Sequence, residues 1–262
     1  MSVVETKVEN KVGKIILRND PLNILEMEHL QLIEDAVHEM DNNDEVSVIY
    51  FTMVMQKEGK IFSAGMDLDE MLATQEEENG IENYCKVSKR NYSCFYYAKK
   101  PVIYVYDGIV RGGGCEMSLF ADYRIAGEKL NIALPEIGIG IIPGGGGTQT
   151  LQRLIGVANA KSLIYTGRPL KAEEAKEVGL VQNVFPSDSL QEEATKIAEK
   201  MAKNSPQGLQ AAKRAINDGA HLPIDEALAF ETEVFIDNFK TEDAAEGIKA
   251  FKEKREPNYK NR

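Results

Sequence analysis

The chain has 262 residues, of which 43% are hydrophobic and 28% charged, which is an ordinary composition for a soluble protein with a sizeable core. The net charge of −11 argues against nucleic-acid binding as the main activity, because that affinity depends on Lys and Arg that neutralise phosphates. No apolar run approaches the roughly 20 residues that span a bilayer. We therefore expect neither a nucleic-acid nor a membrane partner.

The cysteines and the first residues bear on the compartment. The first residues mix charged and apolar side chains, without the apolar stretch of a signal peptide. The cysteines are three in number and lack CxxC spacing, so neither a disulfide framework nor a zinc site is indicated. The histidines also lack metal-ligand spacing. We expect a cytoplasmic protein with free thiols and no bound metal.

Strand patterns alternate with helical patterns in the first two thirds of the chain. Residues 12–17, 46–52, 102–106 and 123–126 are predicted strands, and 27–40 is a predicted amphipathic helix. Helical patterns alone follow residue 187, at 207–217, 224–238 and 244–255, and Ser189 with Glu192 has the pattern of a capping box. The prediction is an α/β core over residues 1–199 and a helical C-terminal region over 200–262.

Two glycine clusters, each joined to a glutamate, are the main candidates for chemistry. Gly112 and Gly113 lead into Glu116, and Glu136 precedes the glycines that begin at Gly144. Glycine lets the main chain approach a ligand closely. Gly113 is therefore a candidate N–H donor to a carbonyl oxygen, as in an oxyanion hole. Each glutamate also has a simpler interpretation: Glu116 as an acidic residue in a helix's first turn, and Glu136 as an exposed loop residue.

The apolar neighbours of Glu136 favour a chemical role. A carboxylate among apolar side chains has a raised pKa unless it is paired, and a raised pKa suits a general acid. A third segment, residues 61–71, runs from an apolar stretch through a turn at Gly65 to a helix start at Asp67 and Glu70. Its main-chain N–H groups are further candidate donors, although a plain strand-to-helix turn has the same pattern.

Together these segments resemble the crotonase (enoyl-CoA hydratase/isomerase) superfamily. Residues 62–68 resemble the family's first oxyanion segment, 112–116 its second, and 134–149 the block that contains its second glutamate. Residues 172–181 and 242–251 also fit. The resemblance therefore covers nearly the whole chain in the family's order.

The resemblance implies a spiral of ββα units with a helical C-terminal oligomerisation region that packs trimers, usually paired into hexamers. It implies an acyl-CoA substrate, with coenzyme A as part of that substrate and no separate cofactor. Glu116 and Glu136 fall on the catalytic glutamates of the family's hydratases, and Ala64 and Gly113 on its oxyanion donors. Further positions are implied to bind the substrate: Ala64, Gly65, Asp67, Leu68, Gly112, Gly113, Gly144, Phe251 and Lys254.

Because both glutamates are present, the resemblance favours hydration of a 2-enoyl-CoA to the 3-hydroxyacyl-CoA. The alternatives are another acyl-CoA enzyme of the same fold (a double-bond isomerase, a cyclic dienoyl-CoA hydratase or a thioester hydrolase) and a non-catalytic acyl-CoA-binding or RNA-associated protein. The retained glutamate pair speaks against a non-catalytic role.

Two features leave the substrate-binding residues undecided. Asp69 stands where many family members have Lys, so the cations that hold the CoA phosphates are undecided between Lys57 and Lys60 in the preceding loop and the lysines of the last helix, Lys249, Lys252 and Lys254. An aromatic group fits either an acyl pocket or core packing. Its members are Tyr92, Phe95, Tyr96 and Tyr97, with Tyr104 and Tyr106 nearby.

Overall fold

The computed structural model describes residues 3–19, 21–55 and 60–262. The strands are β1 (Val4–Glu9), β2 (Val12–Leu17), β3 (Ile24–Leu25), β4 (Val48–Met53), β5 (Ile61–Ser63), β6 (Gly65–Met66), β7 (Val102–Tyr106), β8 (Ile109–Arg111), β9 (Tyr123–Gly127), β10 (Asn131–Ala133), β11 (Leu170–Lys171) and β12 (Asn183–Phe185). The α-helices are α1 (Met27–Asn42), α2 (Leu68–Ala73), α3 (Gly80–Tyr97), α4 (Gly113–Ser118), α5 (Gly147–Ile155), α6 (Val157–Thr166), α7 (Ala172–Glu177), α8 (Leu190–Ala202), α9 (Pro206–Gly219), α10 (Ile224–Phe239) and α11 (Glu242–Glu253). Short 3-10 helices occupy Thr74–Glu76 and Glu136–Ile139.

Successive ββα units build the two larger sheets. The first strands of the units, β4, β7 and β9, are parallel neighbours in a sheet of order β1-β2-β4-β7-β9-β12. The second strands, β5, β8 and β10, are parallel neighbours in a sheet of order β11-β10-β8-β5. A helical connection after each pair returns the chain to the starting end, so equivalent strands run in the same direction. The expected spiral of ββα units is confirmed.

The core lies on both faces of the larger sheet. Strands β4 and β7 are buried along their whole lengths, as parallel strands covered on both faces should be. On one face Phe51 and Tyr104 pack with residues of α1 and α3. On the other face Tyr50 and Ile103 pack against α8.

The predicted boundary at residue 199 falls inside α8. This helix runs from Leu190 to Ala202, and Ala198 and Ala202 are both buried in the cluster that covers the sheet. The next helix, α9, is also fixed to the core, because the Lys213 ammonium donates to the carbonyl of Phe95 at 2.9 Å and to Asp122 at 2.7 Å. The helical region therefore begins as an integral part of the core, and its exposed part is α10 and α11.

The predicted elements agree closely with the structure, with one local error. Strand β7 has the predicted bounds, and α1, α9, α10 and α11 match within about two residues. The capping box at Ser189 is wrong: its side chain caps no N–H, and its hydroxyl donates instead to the Pro186 carbonyl at 3.3 Å. None of the helices in the described ranges is long and apolar enough to cross a membrane.

Candidate active site

The candidate site lies at one edge of the smaller sheet. Strands β5, β8 and β10 are parallel, so their carboxyl ends meet at the same edge, where open α/β sheets generally bind ligands. Ser63 pairs with Val110, and Arg111 pairs with Ala133. The three segments that follow these strands are the three that the sequence selected, so the fold brings the predicted site together.

The first two segments approach each other through glycines. Gly65 has a φ of +97°, and a Cβ added to it would lie 3.0 Å from the Arg111 carbonyl oxygen and 3.5 Å from the Gly113 nitrogen. A Cβ on Gly113 would lie 3.4 Å from the Met66 nitrogen. Larger residues would separate these two stretches of main chain.

The N–H group that faces Gly113 is that of Met66. The Asp67 N–H donates to the Leu25 carbonyl at 3.1 Å, on the β3 side of β6. Successive N–H groups of a strand point to opposite edges, so the N–H of Met66 points away from β3. The expected donor, Ala64, is already engaged, because its N–H donates to the Leu22 carbonyl at 3.0 Å. The N–H of Ala64 is therefore not available to a substrate, and that of Met66 is the candidate donor in its place.

Glu116 is buried and held by the second glycine cluster. It lies in α4, its residue is only 4% exposed, and its Oε1 accepts hydrogen bonds from the N–H groups of Gly145 and Gly147, each at 2.8 Å. Burial raises the pKa of Glu116 to about 7, a rise that the two N–H donors oppose and the nearby charge of Glu136 increases. This carboxyl therefore changes its charge near neutral pH.

Glu136 lies against the first glycine cluster. It begins the 3-10 helix after Pro135, and a Cβ on Gly112, whose φ is +48°, would lie 3.2 Å from its Oε1. Its Oε2 is buried without a hydrogen-bond partner among the described residues. Burial raises the pKa of Glu136. A carboxyl oxygen in this position is available to a substrate or a water molecule.

The remaining predicted substrate-binding residues differ in their surroundings. Asp67 caps α2, its Oδ1 accepting the Glu70 N–H at 2.9 Å, and Leu68 is 50% exposed. Gly144 lies in open space, where an added Cβ would meet only the Ile142 carbonyl at 3.8 Å.

Phe251 is 86% exposed on α11, and Lys254 is the capping residue that follows the end of that helix. Helix α11 packs chiefly against α9 and α10, so Phe251 and Lys254 belong to the exposed C-terminal region rather than to the glycine loops. Of the candidate phosphate cations, Lys57 lies outside the described residues.

The structure places at the site two groups that the sequence did not identify, Gly145 and Gly147, and one that it left ambiguous, Tyr92. Gly145 and Gly147 hold Glu116, although their cluster was noted only for its link to Glu136. Tyr92 lies against the glycines: a Cβ on Gly113 would overlap its hydroxyl, and one on Gly145 would overlap its ring. The rest of the aromatic group divides, with Phe95, Tyr104 and Tyr106 in the core and Tyr97 76% exposed.

The two buried carboxyls and the main-chain donors have a composition that suits an enzyme active site. Within the ranges that the structure describes, no group of three or more His, Cys, Asp or Glu side chains is placed to hold a metal ion. What the site can do chemically is to stabilise a developing negative charge and to move protons.

Comparisons with known proteins identify the family. The model of the enoyl-CoA hydratase/isomerase family matches residues 7–262, and the chain belongs to this family. It is 38% identical to the short-chain-enoyl-CoA hydratase of Clostridium acetobutylicum, over 97% of this chain and 96% of that protein. It is 33% identical to the crotonyl-CoA hydratase of Syntrophomonas wolfei, over 98% and 97% of the two chains. The crystal structure of the enoyl-CoA hydratase from Bacillus anthracis superposes with a TM-score of 0.93 at 37% identity, covering 100% of both chains.

Proposed function

We propose that this protein is a lyase that hydrates a 2-enoyl-CoA thioester to the 3-hydroxyacyl-CoA. The observation on which the proposal rests is the pair of buried carboxyls, Glu116 and Glu136, near the first glycine cluster. The names of the similar proteins, short-chain-enoyl-CoA hydratase and crotonyl-CoA hydratase, support the same reaction. The reaction needs no cofactor beyond the coenzyme A of the substrate.

The main-chain donors act on the thioester. When water adds at Cβ, negative charge develops on the thioester oxygen as an enolate. The N–H groups of Met66 and Gly113, on facing segments, would donate to that oxygen. Donors fixed in advance stabilise such a charge without reorganising, and removal of one donor of this kind typically costs about 10²–10³ in kcat.

The two carboxyls move the protons. The water oxygen bonds to Cβ, a glutamate takes the proton that the water loses, and the other glutamate delivers a proton to Cα. We assign Glu116 as the base, because two N–H groups hold its Oε1 and a pKa of about 7 leaves part of it ionised at neutral pH. Glu136 is the acid, because its unpartnered Oε2 is free to donate and the bound acyl chain would exclude the remaining solvent. Neighbouring carboxyls of this kind titrate as a pair.

The assembly and location belong to the proposal as well. Helix α10 exposes large apolar side chains that a monomer leaves in water, namely Ile224, Leu228, Phe235, Ile236 and Phe239. A surface of this kind supports association into the trimer or hexamer that the resemblance implies. The three cysteines are free thiols, which supports a reducing, cytoplasmic location.

Incubation of the purified protein with crotonyl-CoA tests the proposal. Hydration removes the conjugated double bond, so the enoyl absorbance should fall and mass spectrometry should find a product heavier by one water. Release of the free CoA thiol would be detected separately and would indicate a thioester hydrolase. Binding of crotonyl-CoA without hydration or hydrolysis would indicate a non-catalytic acyl-CoA-binding protein.

A further inference from the structure

The Tyr92 hydroxyl is a buried donor without an acceptor. Tyr92 lies on α3, its residue is 0% exposed, and its hydroxyl has no hydrogen-bond partner within the described ranges. A buried polar group left unpaired destabilises the folded protein. A phenylalanine would fill the same space without that cost, so the hydroxyl calls for an acceptor that the protein alone does not supply.

The position of this hydroxyl is next to the proposed oxyanion donors. A Cβ on Gly113 would overlap the Tyr92 hydroxyl and would lie 3.4 Å from the Met66 nitrogen. The Tyr92 ring lies against Gly145, whose N–H holds Glu116. The hydroxyl is therefore beside the two main-chain N–H groups proposed to donate to the substrate oxygen, on the side of the site that contains Glu116.

The chemistry of the hydroxyl limits its role to donation. Burial raises the pKa of Tyr92 well above its usual range, and the charges of Glu116 and Glu136 raise it further. The group therefore remains protonated at any working pH. The carbon atoms of a 2-enoyl group accept no hydrogen bond, so the thioester oxygen is the strong acceptor that the substrate offers beside Gly113.

We propose that the Tyr92 hydroxyl is a third donor to the thioester oxygen, beside the N–H groups of Met66 and Gly113. This inference rests on the proposed hydratase function. The hydroxyl donates more strongly as charge develops on the oxygen, so it stabilises the enolate more than the bound substrate. Tyr92 is in this sense a catalytic residue.

The chain offers a matched control for this group. Tyr104 is also 0% exposed, and its hydroxyl also lacks a partner within the described ranges. Its ring packs among Phe51, Phe62 and Phe95 in the core rather than against the glycines. Tyr92→Phe and Tyr104→Phe each remove one buried hydroxyl, and only the first should affect the reaction.

The experiment combines kinetics with the spectrum of a bound chromophoric enoyl-CoA, such as a cinnamoyl-CoA. Donors at the thioester oxygen polarise the conjugated system and shift its absorbance to longer wavelength. Tyr92→Phe should lower kcat by about 10- to 100-fold, less than loss of a sole donor because two others remain, and should reduce the red shift. Tyr104→Phe should leave both unchanged.

The outcomes separate this inference from the proposed function. Crotonyl-CoA turnover by the unchanged protein tests the function alone, before any variant is made. With turnover established, wild-type kcat and red shift in Tyr92→Phe would overturn the inference. A lower kcat with an unchanged red shift would also overturn it, because the hydroxyl would then act on the water or on Glu116.

Discussion

Replacement of Glu116 by glutamine should stabilise the protein at high pH while it removes activity. The folded protein holds this carboxyl at a pKa of about 7, against 4.5 for an unperturbed glutamate. The raised pKa means that the fold prefers the protonated form. The stability that the protonated Glu116 contributes is fully present below pH 4.5 and is lost as the pH rises through about 7. The difference between the two pKa values, at about 1.36 kcal/mol per pKa unit, corresponds to a loss of about 3 kcal/mol of folding stability above pH 7.

Glutamine is the appropriate probe because it is neutral at every pH and its Oε1 can accept the same two N–H groups. Urea unfolding of the wild type and Glu116→Gln, at one protein concentration because subunit association affects stability, should give similar free energies at pH 4.5. The free energy of unfolding of the variant should increasingly exceed that of the wild type as the pH rises, by about 2–3 kcal/mol at pH 8. Glu78→Gln, at an exposed position, should show no such gain.

A Glu116→Gln variant that is no more stable than the wild type at pH 8 would refute the reasoning. The carboxylate would then be solvated or paired well enough in the folded state to ionise without cost. A gain that is the same at pH 4.5 and pH 8 would also count against it, because the effect would not depend on ionisation.

Three further outcomes follow from the structure. Gly145→Ala should lower stability by about 1–3 kcal/mol and lower turnover, because the new methyl overlaps the Tyr92 ring. Gly138→Ala is the control, because a Cβ there has no neighbour within 4 Å, and it should change neither property. Urea unfolding measures the stability, and crotonyl-CoA hydration measures the turnover. Lys213→Met should cost about 1–3 kcal/mol in urea unfolding, because the Phe95 and Lys100 carbonyls lose their buried donor and the partly exposed Asp122 loses its ion pair. Sedimentation should show a trimer near 87 kDa, from chains of 29.1 kDa, or a hexamer of twice that mass, and a stable monomer at micromolar concentration would contradict the assembly proposal.

Much of the site followed from the sequence because parallel strands fix which segments meet. The three selected segments each follow one of the three parallel strands of the smaller sheet, so their proximity is a property of the topology. Glycine clusters also predict close approach of main chain, and Gly65 and Gly112 both have positive φ and near neighbours. Local pattern and sheet topology together were therefore sufficient to predict that the two glutamates lie near Gly112 and Gly113.

The choice between Ala64 and Met66 depended on a contact that local sequence does not encode. Whether an N–H is free is decided by pairing with the segment around β3, which is only two residues long and about 40 residues earlier in the chain. The Leu22 and Leu25 carbonyls take the N–H groups of Ala64 and Asp67, and Met66 between them faces the site. A strand of two residues has too little pattern to be predicted.

Tyr92 was ambiguous for a different reason. Helix α3 is buried on the face that includes Tyr92 and Phe95, so helical periodicity marks both as inward-facing. Periodicity does not distinguish a side chain that meets the hydrophobic core from one that meets the glycine loops, since both neighbours exclude water. The distinction requires the three-dimensional position of Gly113 and Gly145.

Steady-state hydration of crotonyl-CoA by Glu116→Gln, Glu136→Gln and the double variant tests the central claim most directly. Each single change should lower kcat by at least about 10²-fold while crotonyl-CoA binding stays within several-fold of wild type, because each removes a positioned acid or base. The double variant should lose less than the product of the two losses, because the carboxyls act as a unit. Near-wild-type hydration by either single variant would contradict the account.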